Sequence, residues 1–201
     1  MNRKFGRLRV IFSSMRLLPH VIIMLTTKNS WIIKADLARW ADVHHLENPR
    51  KLINFIVLFL TFMTFSPEFR NLFYLRSGLK ARAFSWLCPP IGTLQIVPTE
   101  IGPGLFIQHG LSTMISADSI GTNCWINQHV VIGFSNETDR PTIGDNVRIS
   151  AGAKIIGKFK IGNNATIGPN TVVIDDVPPN VTVLGVPGRV VWKKNSKPNQ
   201  V

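Results

Sequence analysis

Residues 143–178 read IGDNVR ISAGAK IIGKFK IGNNAT IGPNTV VIDDVP, with Ile143, Ile149, Ile155, Ile161, Ile167 and Val173 at the head of six consecutive hexads. A period of six is neither the 3.6 of a helix nor the 2 of a flat strand. It fits a solenoid in which each hexad supplies one short strand and a corner. The aliphatic leader points into a prism, and Gly or Asn relieves the corner, where the backbone needs unusual dihedrals. Three hexads close one coil, and strand hydrogen bonds run between stacked coils. This pattern marks the left-handed parallel β-helix, an exception to the right-handed crossover rule.

The pattern extends upstream. Ile101, Ile107, Met114, Ile120, Ile126 and Ile132 continue as leaders, with a one-residue slip after Ile107 and a five-residue excess between Ile132 and Ile143. The prism needs neither irregularity, so both point to function. The excess makes an external loop over 133–142, GFSNETDRPT, which carries Asp139 and Arg140. The slip falls in the hexad that holds His109.

The N-terminal half has a different grammar. Ile32, Ile33, Leu37 and Trp40 recur at helical spacing, and Leu52–Phe65 is a strongly apolar run that starts after Arg50-Lys51 and stops before Pro67. Ser66-Pro67-Glu68 opens a further helix, and Pro89-Pro90 with Gly92 ends the helical region. The expected fold is therefore mainly β: an α-helical region over 1–92, a left-handed β-helix over 93–192 and a polar tail over 193–201. Leu52–Phe65 spans 14 residues, short of the roughly 20 that cross a bilayer. It is expected either to pack in a core or to lie at an interface. Leu17–Leu25 imitates a signal peptide, but Pro19 and His20 interrupt it and no small-x-small site follows, so no cleaved signal is expected.

Composition narrows the class further. A hydrophobic content of 45% supports a packed core. Cys88 and Cys124 form no CxxC pair and lie near no histidine at ligand spacing, so neither a disulfide framework nor a metal site is expected. Residues 1–98 carry 14 Lys/Arg against 4 Asp/Glu, a net +10, while residues 99–201 carry 9 against 7. Such asymmetry fits an anionic partner for the first half, or simply basic, soluble helices. The partner adopted is an anionic membrane surface, with no nucleic acid.

Five histidines are present, and His20, His44 and His45 lie in the helical half in no recognisable constellation. The phase puts His109 and His129 on the same face of adjacent coils, which predicts a separation of roughly one strand spacing, ~4.8 Å. A histidine at a cleft is the usual base for activating a hydroxyl near neutral pH. The alternative is a surface histidine at a solenoid corner.

The segments IGPGLFIQHG (101–110), INQHVVIG (126–133), DRPTIGDNVRISAGAKIIG (139–157) and IGPNTVVIDDVPPNVTVLGVPGRVV (167–191) together resemble the serine acetyltransferase family of hexapeptide-repeat acyltransferases. That resemblance implies acetyl-CoA as co-substrate, a homotrimer with sites between subunits, and His109 as the base that deprotonates the acceptor hydroxyl. It aligns Gln95 with the aspartate that partners the family's histidine. It implies that Gly133, Ala151, Gly152 and Ala153 let the pantetheine arm lie along the prism. Gly185, Pro187 and Arg189 match the family's closing Gly-Val-Pro-Ala-Arg near the CoA site. Two departures concern the acceptor. Gln108 stands where the family has an aspartate for serine's amino group, and Asp139-Arg140-Pro141 lacks the histidine that follows Arg in the family's loop.

The expected function is therefore acetyl-CoA-dependent O-acetylation of a sugar hydroxyl in surface polysaccharide assembly. Gln108, Arg140, Asp139 and His129 are expected to face the acceptor. The chain is expected to be cytoplasmic, in contact with the inner face of the membrane. The alternatives are serine O-acetylation for cysteine synthesis and a non-catalytic hexapeptide scaffold.

Overall fold

Apolar residues at three- and four-residue intervals build the first unit. The computed structural model describes residues 3–97, 100–136 and 138–193, with backbone alone for 3–13, 192 and 193. The chain divides into two compact units between Gly92 and Thr93. The first contains α1 (Arg3–Thr26), α2 (Ser30–Val43), α3 (Leu52–Phe65), α4 (Pro67–Ser77), α5 (Leu79–Arg82) and a 3-10 turn, Ser85–Leu87. Its core is aromatic: Trp40 meets Phe69 edge-on at 5.2 Å between ring centroids, and Phe59 meets Phe73 at 5.0 Å. Edge-to-face packing places the positive ring edge on the negative face of its neighbour. Asp36 and Arg76 form a buried ion pair at 3.0 Å.

α3 and α4 are bent by 118° at Ser66, and Pro67 takes the first turn of α4, where its missing N–H costs nothing. Among the described residues no single helix is long and apolar enough to cross a membrane. α3 is only partly core: Phe59, Phe62 and Met63 are buried, whereas Leu52, Ile53 and Val57 are exposed. On α1, Leu17, His20 and Met24 are buried, and Met15, Leu18, Ile22 and Leu25 form an exposed apolar stripe at 3-4-3 spacing.

The second unit is a parallel β-helix. Its strands are β1 (Leu94–Ile96), β2 (Glu100–Ile101), β3 (Phe106–Ile107), β4 (Thr113–Ile115), β5 (Ser119–Ile120), β6 (Trp125–Ile126), β7 (Val131–Gly133) and β8 (Thr142–Ile143). They continue as β9 (Arg148–Ile149), β10 (Lys154–Ile156), β11 (Lys160–Ile161), β12 (Thr166–Ile167), β13 (Val172–Val173), β14 (Val181–Leu184) and β15 (Arg189–Lys193). The first sheet runs β1-β4-β7-β10-β13, the second β2-β5-β8-β11 and the third β3-β6-β9-β12-β14-β15. Every pairing is parallel except β14 with β15, which closes the unit as a hairpin. The tail expected over 193–201 lies outside the described residues beyond Lys193.

Sequence and geometry agree on most leaders. Ile107, Ile126, Ile149, Ile167 and Val183 stack inside the third sheet. One leader is corrected. Ile115, fully buried and in register with Ile132, points inward, and Met114 faces outward. The irregularity after Ile107 is therefore two extra residues, recovered by a short step from Ile115 to Ile120, rather than a single slip. The five-residue excess before Ile143 lies in the 133–142 loop as expected.

The Ile-Gly pairs of the second sheet have a steric cause. A Cβ built at Gly102 would lie 2.8 Å from the carbonyl carbon of Gly121 in the next coil. The Gly102 and Gly121 amides meanwhile bond Ile120 O and Ile143 O at 2.7 and 2.9 Å. Only glycine permits that approach. At the next corner Asn123, Asn146, Asn164 and Asn180 adopt left-handed backbone, φ 55–61°, which asparagine tolerates better than most residues.

Candidate functional site

The corner between the third and first sheets carries most of the expected site. From coil to coil its left-handed residues are Ser112 (φ 48°), His129 (φ 58°), Gly152 (φ 77°) and Asn170 (φ 53°). The bonding confirms that series: the His129, Gly152 and Asn170 amides bond Leu111 O, Gln128 O and Ala151 O, each the residue before the corner residue below. His129 thus stacks over Ser112. His109 and His129 lie at the same corner of adjacent coils, but His129 is seated over Ser112 and not over His109, because two inserted residues carry His109 out of the corner series.

His109 is exposed and also has left-handed backbone, φ 64°. A non-glycine residue there carries a strain cost. Since the coils above turn the same corner with two residues fewer, the prism does not require this residue. Its neighbour Gln108 is half-buried and anchored: Trp125 Nε1 and Asn127 Nδ2 both donate to Gln108 Oε1, at 3.2 and 3.4 Å. The Trp125 ring is itself held, with the Arg148 guanidinium 4.4 Å from its centroid and the Phe106 ring edge-on at 4.9 Å.

Farther along the same edge lie Ala151, Gly152 and the buried Ala153. Lys154 Nζ donates to His129 O at 3.0 Å and to Gly152 O at 2.8 Å, tying two coils together. The edge ends at the β14–β15 turn, where Gly185, Pro187 and Arg189 are exposed and Gly185 O accepts from the Val172 amide at 3.1 Å. Gln108, His109, His129, Ala151–Ala153 and Gly185–Arg189 therefore occupy one line.

The remaining expected residues lie elsewhere. Gln95 is exposed on β1 in register with Met114, and among the described residues no hydrogen bond joins it to His109. Gly133 ends β7 at the opposite edge of the first sheet, where the 133–142 loop departs. In that loop Asp139 Oδ2 accepts from Ser135 Oγ at 2.9 Å and Asn136 Nδ2 at 2.6 Å, and the Arg140 guanidinium lies 5.7 Å from the Phe134 ring centroid. Sequence reasoning missed Trp125, Asn127 and Lys154. The leader phase contained the first two: with Ile107 paired to Ile126, Gln108 falls beside Asn127, and Trp125 stands one residue before its leader. Among the described residues no group of three His, Cys, Asp or Glu could hold a metal ion.

Residues 140–175 match the bacterial transferase hexapeptide (six repeats) model. The chain is 40% identical over 126 residues to a serine acetyltransferase of Staphylococcus aureus, covering 60% of this chain and 59% of that protein. It therefore spans less than two thirds of the length of the curated relatives it matches. Among solved structures it resembles Neisseria gonorrhoeae serine acetyltransferase in complex with serine, at 31% identity and TM-score 0.61, covering 84% of this chain and 71% of that one. It also resembles Brucella abortus serine acetyltransferase in complex with coenzyme A, at 26% identity and TM-score 0.65, covering 87% and 72%.

Proposed function

The chain belongs to the hexapeptide-repeat transferase family, and from that premise we propose that it is an acetyl-CoA-dependent O-acetyltransferase with His109 as general base. The observation that carries this reading is the two-residue insertion. It adds an exposed histidine, unnecessary to the prism, at the head of an edge whose later corners are small or turn-forming. Acetyl-CoA supplies an activated thioester, so transfer needs no acyl-enzyme. Ala151, Gly152 and Ala153 leave room for a slender arm along the edge, and Gly185, Pro187 and Arg189 lie at its end. The His109 imidazole takes the hydroxyl proton as the acceptor oxygen attacks the acetyl carbonyl, then returns it to the departing CoA sulfur. Thiol release from acetyl-CoA by purified protein, with and without hydroxyl acceptors, tests the reading. A protein that neither binds nor turns over acetyl-CoA would be a scaffold instead.

On the acceptor, the relatives weigh towards serine, the alternative reading from sequence, more than towards a sugar. A sugar hydroxyl remains the second reading, favoured by one observation: an uncharged Gln108 adjoins His109.

The proposed assembly is a homotrimer. His109 precedes β4 and the 133–142 loop follows β7, so within one chain they leave opposite edges of the first sheet. A three-fold arrangement brings one copy's loop to the next copy's His109 edge. For the helical unit the proposed setting is the cytoplasmic face of an anionic membrane. The Met15, Leu18, Ile22, Leu25 stripe offers an apolar face, and the net +10 of residues 1–98 offers countercharge.

A further inference from the structure

Gln108 sits beside the proposed base, and its amide is not free to turn. An indole N–H can only donate. The Gln108 atom 3.2 Å from Trp125 Nε1 is therefore the carbonyl oxygen, because the flipped amide would set N–H against N–H. With the indole fixing that orientation, the same oxygen takes Asn127 Nδ2 at 3.4 Å. Trp125 is itself held by the Arg148 guanidinium, 4.4 Å from its centroid, and the Phe106 ring, edge-on at 4.9 Å. What Gln108 has left is Nε2, whose two N–H groups have no hydrogen-bond partner among the described residues.

We propose that Trp125 locks Gln108 as a pure donor, and that the acceptor substrate therefore presents a lone-pair group, and not an ammonium, beside His109. The inference rests on the reading of His109 as base. A hydroxyl, carbonyl or carboxylate accepts from Nε2–H. An ammonium placed there meets N–H dipoles with their positive ends towards it, and an unmatched charge in a half-buried site is costly. The favoured acceptors are hydroxyl compounds whose neighbouring group is neutral or anionic. Gln108 is then the specificity-determining residue and Trp125 the residue that positions it.

The test compares L-serine with 3-hydroxypropionate, which keeps the hydroxyl and carboxylate and lacks the ammonium, alongside neutral sugars. The wild-type chain is expected to use 3-hydroxypropionate at least as well as L-serine by kcat/KM. Gln108→Asp should shift the ratio at least tenfold towards L-serine. Gln108→Ala should raise acceptor KM more than it lowers kcat. A tenfold wild-type preference for L-serine overturns the proposal. So does an equal kcat loss for every acceptor in Gln108→Ala, which would move Gln108 to the acetyl oxyanion. A readout independent of activity is the Trp125 indole N–H resonance, assigned as the one missing in Trp125→Phe. It should move in Gln108→Ala, and an unmoved resonance removes the lock. If no acceptor releases thiol, the transferase reading fails by itself. Saturation-transfer binding then decides, and tighter binding of L-serine than of 3-hydroxypropionate counts against the lock.

Discussion

The His129 amide bonds Leu111 O at 2.9 Å, which seats His129 over Ser112 and leaves His109 outside the corner series. The two histidines therefore differ in kind. His129 does the work of Gly152 and Asn170, turning the chain with positive φ. His129→Asn or His129→Gly should keep both activity and melting temperature, since these residues adopt that backbone readily. His109→Ala should cut turnover by about 10²–10⁴-fold with CoA affinity nearly unchanged. Steady-state thiol release and calorimetric CoA binding separate the two, and reversed effects would move the base to His129.

A second expectation concerns acid. His20 is fully buried, and its Nε2 lies 3.0 Å from Tyr74 Oη. The Tyr74 hydroxyl donates its single proton to Cys88 O at 2.8 Å, so Nε2 is the donor to Tyr74. A second proton on this ring would be a buried charge. Burial chiefly, with the Arg16 charge, holds the His20 pKa below its ordinary 6.5. The unfolded chain thus binds the proton more readily, and stability from this site is complete above about pH 6.5 and declines as pH falls below it. Thermal melts from pH 7.5 to 5 should show the helical unit losing stability. His20→Gln keeps an N–H for Tyr74 and cannot titrate, so its profile should be flatter. An equal slope in both would assign the acid sensitivity elsewhere.

The β-helix was legible because its signal is local and repeated. Each Ile-Gly pair reports a leader and the close approach behind it, as Gly102 against Gly121 shows. Phase resolved less where the repeat is interrupted. Met114 and Ile115 are both apolar, and only the register with Ile132 decides which points inward. His109 was identified as the residue of interest, but its separation from His129 depends on two inserted residues that a count alone assigns as one. Gln95 comes only from the alignment to a partner for His109; it is exposed on β1, and among the described residues no hydrogen bond joins the two. The hold of Trp125 on Gln108 is a side-chain contact across coils, which no single hexad displays.

The exposed stripe on α1 leads to a third expectation. Met15, Leu18, Ile22 and Leu25 recur at 3-4-3 spacing, and exposures of 86%, 59%, 53% and 39% are high for such residues on a helix with a buried opposite face. A second copy of the same basic unit would meet this face with like charge, whereas anionic lipid would meet it with opposite charge. In flotation assays the chain should rise with phosphatidylglycerol vesicles at low salt and less so as salt screens the attraction. Leu18→Asp with Ile22→Asp should abolish flotation and leave acetyl transfer intact. No flotation at low salt, or equal flotation with neutral vesicles, would remove the membrane from the proposal.

The last expectation follows from the opposite edges of the first sheet. His109 enters β4 and Arg140 lies in the loop that leaves β7, and β4 and β7 are paired neighbours. If one chain supplied both residues to one site, mixing His109→Ala and Arg140→Ala chains could not restore activity, since every site would lack one of them. If the site forms between copies, random mixing gives some sites His109 from one chain and Arg140 from another. For independent contributions in a cyclic oligomer that fraction is about one quarter of the wild-type sites. Co-expressed, doubly tagged trimers, purified for both tags, each contain both variants and so one complete site of three, and about one third of wild-type activity should return when each variant alone is nearly inactive. Light scattering should give three chains, or a multiple of three, per particle. Mixed oligomers as inactive as the single variants would place His109 and Arg140 in one chain's site, or remove Arg140 from the site, and a monomer at micromolar concentration would exclude the inter-subunit arrangement.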